Sequence, residues 1–282
     1  MTRKLFCELS PFCYNISVAK EKTKRNLLNM LNSRNLAREH LDKELPNIVK
    51  GHTSIILRKL YNVDMELQKN KKTNLLIASS KINGIVIHPN EVFSFWYTVG
   101  EVTKKYGYKE GLVISKTGLK SDIGGGLCQL ANMIHYLILN SPLKVEELHH
   151  HSDSLFPDDR RRVPFGTGTS VFFNYLDYRF KNTTNQDVQL LLWIEDDILY
   201  GELRSEKEFA YRYKLIEENH HFKKEGNKYY RISQVYRITI DRKTNKEISK
   251  ELILDNHSEV MYDYKLIPEN EIRNDDGCSL IC

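Results

Sequence analysis

The sequence predicts an α+β protein: N-terminal helices, a central buried helix packed on a mainly antiparallel sheet, and a C-terminal β meander. Three observations predict it. Apolar residues recur at helical spacing through residues 20–72. A run of twelve residues, Cys128 to Leu139, holds nine apolar side chains and follows closely on a glycine triplet. Beyond Pro142 the texture turns to strands, with alternating, tyrosine-rich segments from about residue 205. Three regions result: a basic helical segment (1–72), a core domain (73–204) and a small β-rich region packed on the core (205–282). The 282 residues are ample for such a core.

The opening stretch "MTRKLFCELSPFCYNISVAKEK" is broken by Glu8, Ser10 and Pro11. It has no continuous apolar h-region and no small-residue cleavage site, so no secretory signal is expected. No run approaches the ~18–20 apolar residues of a transmembrane helix. The expected compartment is the cytoplasm, where thiols stay reduced. Leu27, Leu28, Leu31, Leu36, Leu41 and Leu45, then Ile55, Ile56 and Leu60, outline two helices separated at Pro46, with Gly51–His52 in the break.

Charge is uneven. Net charge is +5, yet residues 1–72 hold 15 Lys/Arg against 7 Asp/Glu, while the remainder is net acidic. A basic segment suits phosphate or anionic lipid; its plainer reading is a solvated helical face. Nothing resembles a nucleic-acid motif, so no nucleic-acid partner is expected.

The core domain reads in order as follows. A helix begins at Asn74–Ala78 and ends near Asn83–Gly84. Ile85–Ile87 is a short buried strand and Pro89–Asn90 a turn. Phe93, Phe95 and Tyr97 alternate as one buried strand face. "GYKEGLVISKTGLK" is a hairpin turning at Thr117–Gly118. Cys128–Leu139 is the buried helix, stopped by Asn140–Ser141–Pro142. "KVEELHHHSD" is a strand, and "TSVFFNYLDYRFKN" pairs with "VQLLLWIED" across Asn182–Asn185. "ILYGELRS" follows. In the tail, "KYYRISQVYRITID" and "KEISKELIL" are strands joined by a "RKTNK" turn.

The candidate chemistry centres on "DIGGGLCQ". Glycine permits φ > 0 and close backbone approach. Placed before a helix, Gly124, Gly125 and Gly126 leave unsatisfied N–H groups facing a guest, where the helix dipole adds positive charge. A cysteine in that first turn is expected to have a lowered pKa, which suits a nucleophile beside an oxyanion-binding backbone. A buried cysteine with a tight packing turn reads the same residues equally well. His135 lies two helical turns on, about 10.5 Å along the axis, too far to be the base. In "HHHSD", His149 and His151 share a strand face and His150 takes the other. His151 is the candidate base, with Asp177 as its orienting carboxylate and Asp153 as the local alternative.

Metal readings are weaker. Cys7, Cys13, Cys278 and Cys282 depart from the usual zinc spacings. An H-x-H followed by Asp153 lacks a matching downstream ligand pair, and H-E-x-x-H is missing. No metal and no cofactor are expected.

"INGIVIHPNEVFSFWYTVG", "GYKEGLVI" and "GGGLCQLANMIHYLILNSPL" together resemble the VanW family, in its short, signal-free form. The resemblance covers nearly the whole chain. It places the family core on Phe93, Ser94, Phe95, Gly107, Tyr108, Gly124–Gly126, Cys128, Gln129, His151 and Asp177. His149 matches the longer, membrane-attached relatives. Where those relatives carry an aspartate in a G-x-D-A-T-V-like stretch, this chain has Gly168. The resemblance implies an association with glycopeptide resistance and, as ligand, a small molecule or peptide related to the cell wall or its precursors.

Two classes of function follow. One is cysteine-dependent acyl transfer or amide hydrolysis: Cys128 attacks, His151 is base and then acid, Asp177 orients the ring, and the Gln129 amide helps the backbone hold the oxyanion. Ser94, Tyr108 and His149 complete the binding set. The other is a non-catalytic module that grips an anion at the glycine-rich helix start, or an accessory partner of other resistance proteins through Lys22, Lys24 and Arg25.

Overall fold

The computed structural model describes residues 5–57, 65–115, 118–150, 153–154, 157, 163–173 and 175–273. Its elements are helix α1 (Pro11–Leu31), strand β1 (Asn47–Ile55), α2 (Met65–Ile82), β2 (Ile85–Ile87), β3 (Val92–Ser94), α3 (Phe95–Val99), β4 (Glu110–Ser115), β5 (Gly118–Ile123) and α4 (Cys128–Leu139). There follow β6 (Lys144–Glu147), β7 (Asp153–Ser154), β8 (Arg179–Lys181), β9 (Val188–Glu195), β10 (Ile198–Ser205), β11 (Tyr211–Glu225), β12 (Lys228–Asp241), β13 (Glu247–Val260) and β14 (Ile272–Arg273). The architecture is the expected α+β with antiparallel sheets. Two compact units divide the chain: residues 1–138, 143–149 and 169–208 in one, and 139–142, 150–168 and 209–282 in the other.

The first unit is built on an antiparallel sheet of order β1-β10-β9-β2. Strand β10 alternates strictly, burying Leu199, Gly201, Leu203 and Ser205. Helix α4 lies against this sheet: His52 of β1 meets Tyr136 of α4 with ring centroids 4.4 Å apart, and Leu130, Ile134, Leu137 and Ile138 are fully buried. A second sheet of order β3-β8-β6 carries the cross-strand pair Phe93–Phe180, opposed in register and stacked at 5.0 Å. Strands β4 and β5 form the expected hairpin; Thr117, in its predicted turn, lies outside the described residues.

Several expectations give way to structure, each for a local reason. Where a break between two N-terminal helices is expected, the chain forms strand β1 up to Ile55, in which β-branched Ile48, Thr53 and Ile55 pair with β10 and Val49 sits at a register shift. Helix α1 starts earlier, at Pro11, because the Ser10 hydroxyl accepts the Cys13 N–H at 3.1 Å. The alternation at Phe93, Phe95 and Tyr97 ends after one step. Ser94 caps a helical turn by accepting from Tyr97 N–H at 3.2 Å, so Phe95 begins α3. Strand β6 stops at Glu147, short of the histidines. Nor do the two segments around Asn182–Asn185 pair with each other: β8 joins β3 and β6, while β9 joins β10 and β2. The buried Asn182 side chain turns the chain between those sheets by donating to the Ile87 and Gln186 carbonyls, both at 2.8 Å.

The second unit contains the predicted meander. Strands β11, β12 and β13 pair consecutively and antiparallel, flanked by short parallel pairings to β14 and β7. Phe222, Val260 and Ile267 form its apolar cluster. The "RKTNK" turn is tied by Asp241, whose Oδ1 accepts from the Thr244 N–H at 2.7 Å and hydroxyl at 2.9 Å.

Candidate functional site

The glycine triplet has a packing cause. Gly124 and Gly126 take φ of 79° and 97°, a region side chains avoid. Between them, a Cβ on Gly125 would stand 2.1 Å from the backbone of Gly111 in β4, so the two strands of chain meet backbone to backbone. Fully buried Asn74 of α2 clamps this contact: its amide donates to the Lys109 and Gly125 carbonyls, each at 3.0 Å, and its Oδ1 accepts from Lys109 N–H at 2.8 Å. Nothing in the sequence marks Asn74 for this; it reads as a helix-start residue.

The clamp presents the first turn of α4. Gln129, Leu130 and Ala131 N–H groups close on Gly126 and Leu127. The N–H groups of Gly126, Leu127 and Cys128 have no backbone partner among the described residues, as expected of a helix start. The Cys128 sulfur donates to the Val171 carbonyl at 3.7 Å. Burial pushes the thiol up, although the residue's own backbone N–H favours the thiolate. The expectation of a lowered pKa is therefore reversed: desolvation outweighs the backbone bonds at Val171 and Cys128, both of which favour the thiolate. One turn along the same face, Asn132 Oδ1 accepts the Thr169 N–H at 2.6 Å. Segment 169–171 thus runs along α4, and on its other side Ser170 N–H donates to the His149 carbonyl at 2.6 Å.

The remaining predicted residues fall into distinct places. Both amide hydrogens of Gln129 are spent on β1, at Ser54 Oγ (2.8 Å) and the Ile55 carbonyl (2.9 Å). Tyr108 is buried, its hydroxyl without a partner among the described residues and its pKa pushed up to about 12 by burial. Ser94 is buried as the α3 cap and donates to Asp177 Oδ2 at 2.6 Å. Asp177, fully buried, also accepts from Trp96 N–H (3.0 Å), Tyr178 N–H (2.9 Å) and Arg179 Nε (2.8 Å). Those four donors match the roughly four acceptor sites of a carboxylate.

Beside Asp177 lies an ion-pair network that sequence reasoning missed. Glu147, at the end of β6, accepts two bonds from Arg25 of α1, at 2.7 and 2.6 Å. It also takes the His149 Nε2 contact at 3.0 Å and the Asp177 N–H at 3.1 Å, with Arg179 Nε 3.6 Å away. Burial alone would raise the Glu147 carboxyl; the Arg25 guanidinium and the His149 bond outweigh it and hold the carboxyl below its usual range. The Glu147–His149 pair was visible at i, i+2, one strand face; Arg25, 122 residues away, gave no signal. Arg25 is thus an internal partner rather than a free surface charge. His151 and Cys278 and Cys282 lie outside the described residues, as does the side chain of Asp153. Among the described residues no cluster of three or more His, Cys, Asp or Glu could hold a metal ion.

Residues 70–204 match the VanW like protein family. The chain is 26% identical over 221 residues to the vancomycin B-type resistance protein VanW of Enterococcus faecalis (strain ATCC 700802 / V583), covering 78% of this chain and 80% of that protein. It is 31% identical over 120 residues to the uncharacterized protein YoaR of Bacillus subtilis (strain 168), covering 43% of this chain and 38% of that one. No solved structure matches.

Proposed function

Because this chain is a VanW-like protein, we propose that it acts in glycopeptide (vancomycin) resistance through cysteine-dependent acyl transfer or amide hydrolysis on a cell-wall peptide or precursor. The observation that carries the proposal is Cys128 in the first turn of α4, directly after Gly126 and Leu127, with the N–H groups of all three lacking a backbone partner among the described residues. In this reading the sulfur adds to an acyl carbon while its proton passes to an imidazole. That proton leaves with the amine as the C–N bond breaks, and water hydrolyses the thioester. The N–H groups at 126–128 receive the oxyanion. With its amide tied to β1, Gln129 is left to hold the helix start in place. The imidazole comes from the 149–151 run: His151 by the family pattern, or His149 with its Glu147 partner. Asp177 braces the frame around them.

A raised thiol pKa requires a base at the moment of attack, so two measurements test the proposal. Cys128→Ala should abolish the effect of the protein on vancomycin susceptibility with an unchanged melting curve. Undiminished susceptibility effect would end the nucleophile reading. Alkylation of Cys128 by iodoacetamide should be slow at neutral pH and accelerate above the ordinary thiol range. Separate His149→Ala and His151→Ala variants identify the base by which one removes activity.

The raised thiol pKa and the occupied Gln129 amide also favour a second reading, a binding module without chemistry that grips an anion at the helix start. It requires that Cys128→Ser keep the full biological effect.

A further inference from the structure

Helix α1 is built inside out. Its inward side is polar: Arg25 pairs with Glu147, Asn29 accepts from Arg179, and Lys22 Nζ sits 4.9 Å over the Phe173 ring. Its outward side is apolar. Phe12 is 72% exposed, Met30 67% and Leu31 69%, with Ile16 and Leu27 also open to solvent, and Leu9 and Phe6 continue the patch just ahead of the helix. Positions 12, 16, 27 and 30 share one face at helical spacing, opposite Arg25 and Asn29. Between the two apolar ends the same side carries exposed Lys20, Thr23 and Lys24 and no acidic residue.

A face of this size left in water is unusual for a monomer and marks something that covers it. Charge selects the cover. An isologous contact with a second copy would bring Lys20 and Lys24 of each chain towards their own counterparts, like against like. An anionic surface accepts both the apolar side chains and the flanking lysines. Among the described residues no helix is long and apolar enough to cross a membrane; α1 offers a single apolar face opposite the buried Asn29.

We propose that the outward face of α1 docks the protein on an anionic lipid surface, independently of any chemistry at Cys128. The test is co-sedimentation with vesicles of phosphatidylglycerol and phosphatidylethanolamine against vesicles of phosphatidylcholine alone, with light scattering on the protein in solution. The protein should sediment with the anionic vesicles and be released by salt. Leu9→Asp with Phe12→Asp should weaken partition roughly ten-fold or more, since burying each apolar side chain contributes strongly. Lys20→Glu with Lys24→Glu should weaken it on the order of ten-fold at low salt and flatten the salt dependence. Both pairs are exposed, so the melting curve should not move. Three results overturn the proposal: no sedimentation with anionic vesicles, equal sedimentation with both kinds, or a solution dimer that the Leu9→Asp, Phe12→Asp variant dissociates.

Discussion

Asp177→Asn probes whether the buried carboxylate holds the frame or serves an imidazole. In the native chain Oδ1 takes the Trp96 and Tyr178 N–H groups, and Oδ2 takes the Ser94 hydroxyl and Arg179 Nε. Asparagine can keep its carbonyl on the two backbone donors. Its NH2 then faces Arg179 Nε donor to donor, while the Ser94 hydroxyl can rotate to accept. The charge-assisted bond to Arg179, about 1.5–3 kcal/mol, is lost. The guanidinium, its side chain 14% exposed, keeps Glu147 at 3.6 Å and Asn29 as partners. Breaking a buried pair by removing one partner costs about 3–5 kcal/mol, and these remaining partners put the expected loss near the lower end, about 3 kcal/mol. For a unit of this size that is a fall in Tm of about 6–12 °C. Urea unfolding followed by far-UV circular dichroism measures it. A loss under about 1 kcal/mol would refute the framing role. A variant that melts like the native protein yet has lost its effect on vancomycin susceptibility would return Asp177 to the imidazole.

Further outcomes are expected elsewhere. Gly125→Ala drives a Cβ into the Gly111 backbone and should cost about 3 kcal/mol or prevent folding, whereas Gly226→Ala, with open space around it but φ of 62°, should cost only about 1 kcal/mol; equal melting temperatures for the two would refute the close-approach argument. Glu147 has a depressed folded pKa, so its contribution is complete above the ordinary carboxyl range and is lost as pH falls through the lowered value. Glu147→Gln should therefore flatten the acid limb of a stability–pH curve, and an unchanged limb would count against the Arg25 pairing. His88 is raised by hydrogen bonds to Asp187 and Glu39, despite partial burial. Its contribution is complete below the ordinary imidazole range and is lost as pH rises through the raised value; His88→Gln should remove that loss from a melting series between mildly acid and mildly alkaline pH.

Much of the fold was legible because local rules set it. The α4 boundaries follow from an apolar run bracketed by glycines and Asn140–Ser141–Pro142, and β2, β10 and β12 follow from burial or alternation. Where tertiary pairing competes with local pattern, the sequence misleads. Asn47–Ile55 reads as the break between two helices, up to the first apolar residue of the second, and only β10 beside it makes it a strand. Phe95 continues an alternation until Asp177 and Ser94 close a helical turn. The site divides in the same way. "GGGLCQ" by itself announces a helix start with a cysteine in its first turn, because glycine tolerance and helix polarity are properties of the chain. That the triplet also seats against Gly111 under an Asn74 clamp depends on residues 14 and 51 positions away. The protonation of Cys128 depends on burial that outweighs the backbone bonds at Val171 and Cys128, and the state of Glu147 on Arg25 in a distant helix. Spacing along the chain determines which groups exist and which way a helix points. Desolvation and long-range ion pairs exist only once the chain has closed on itself, so the tertiary structure alone decides what charge those groups carry.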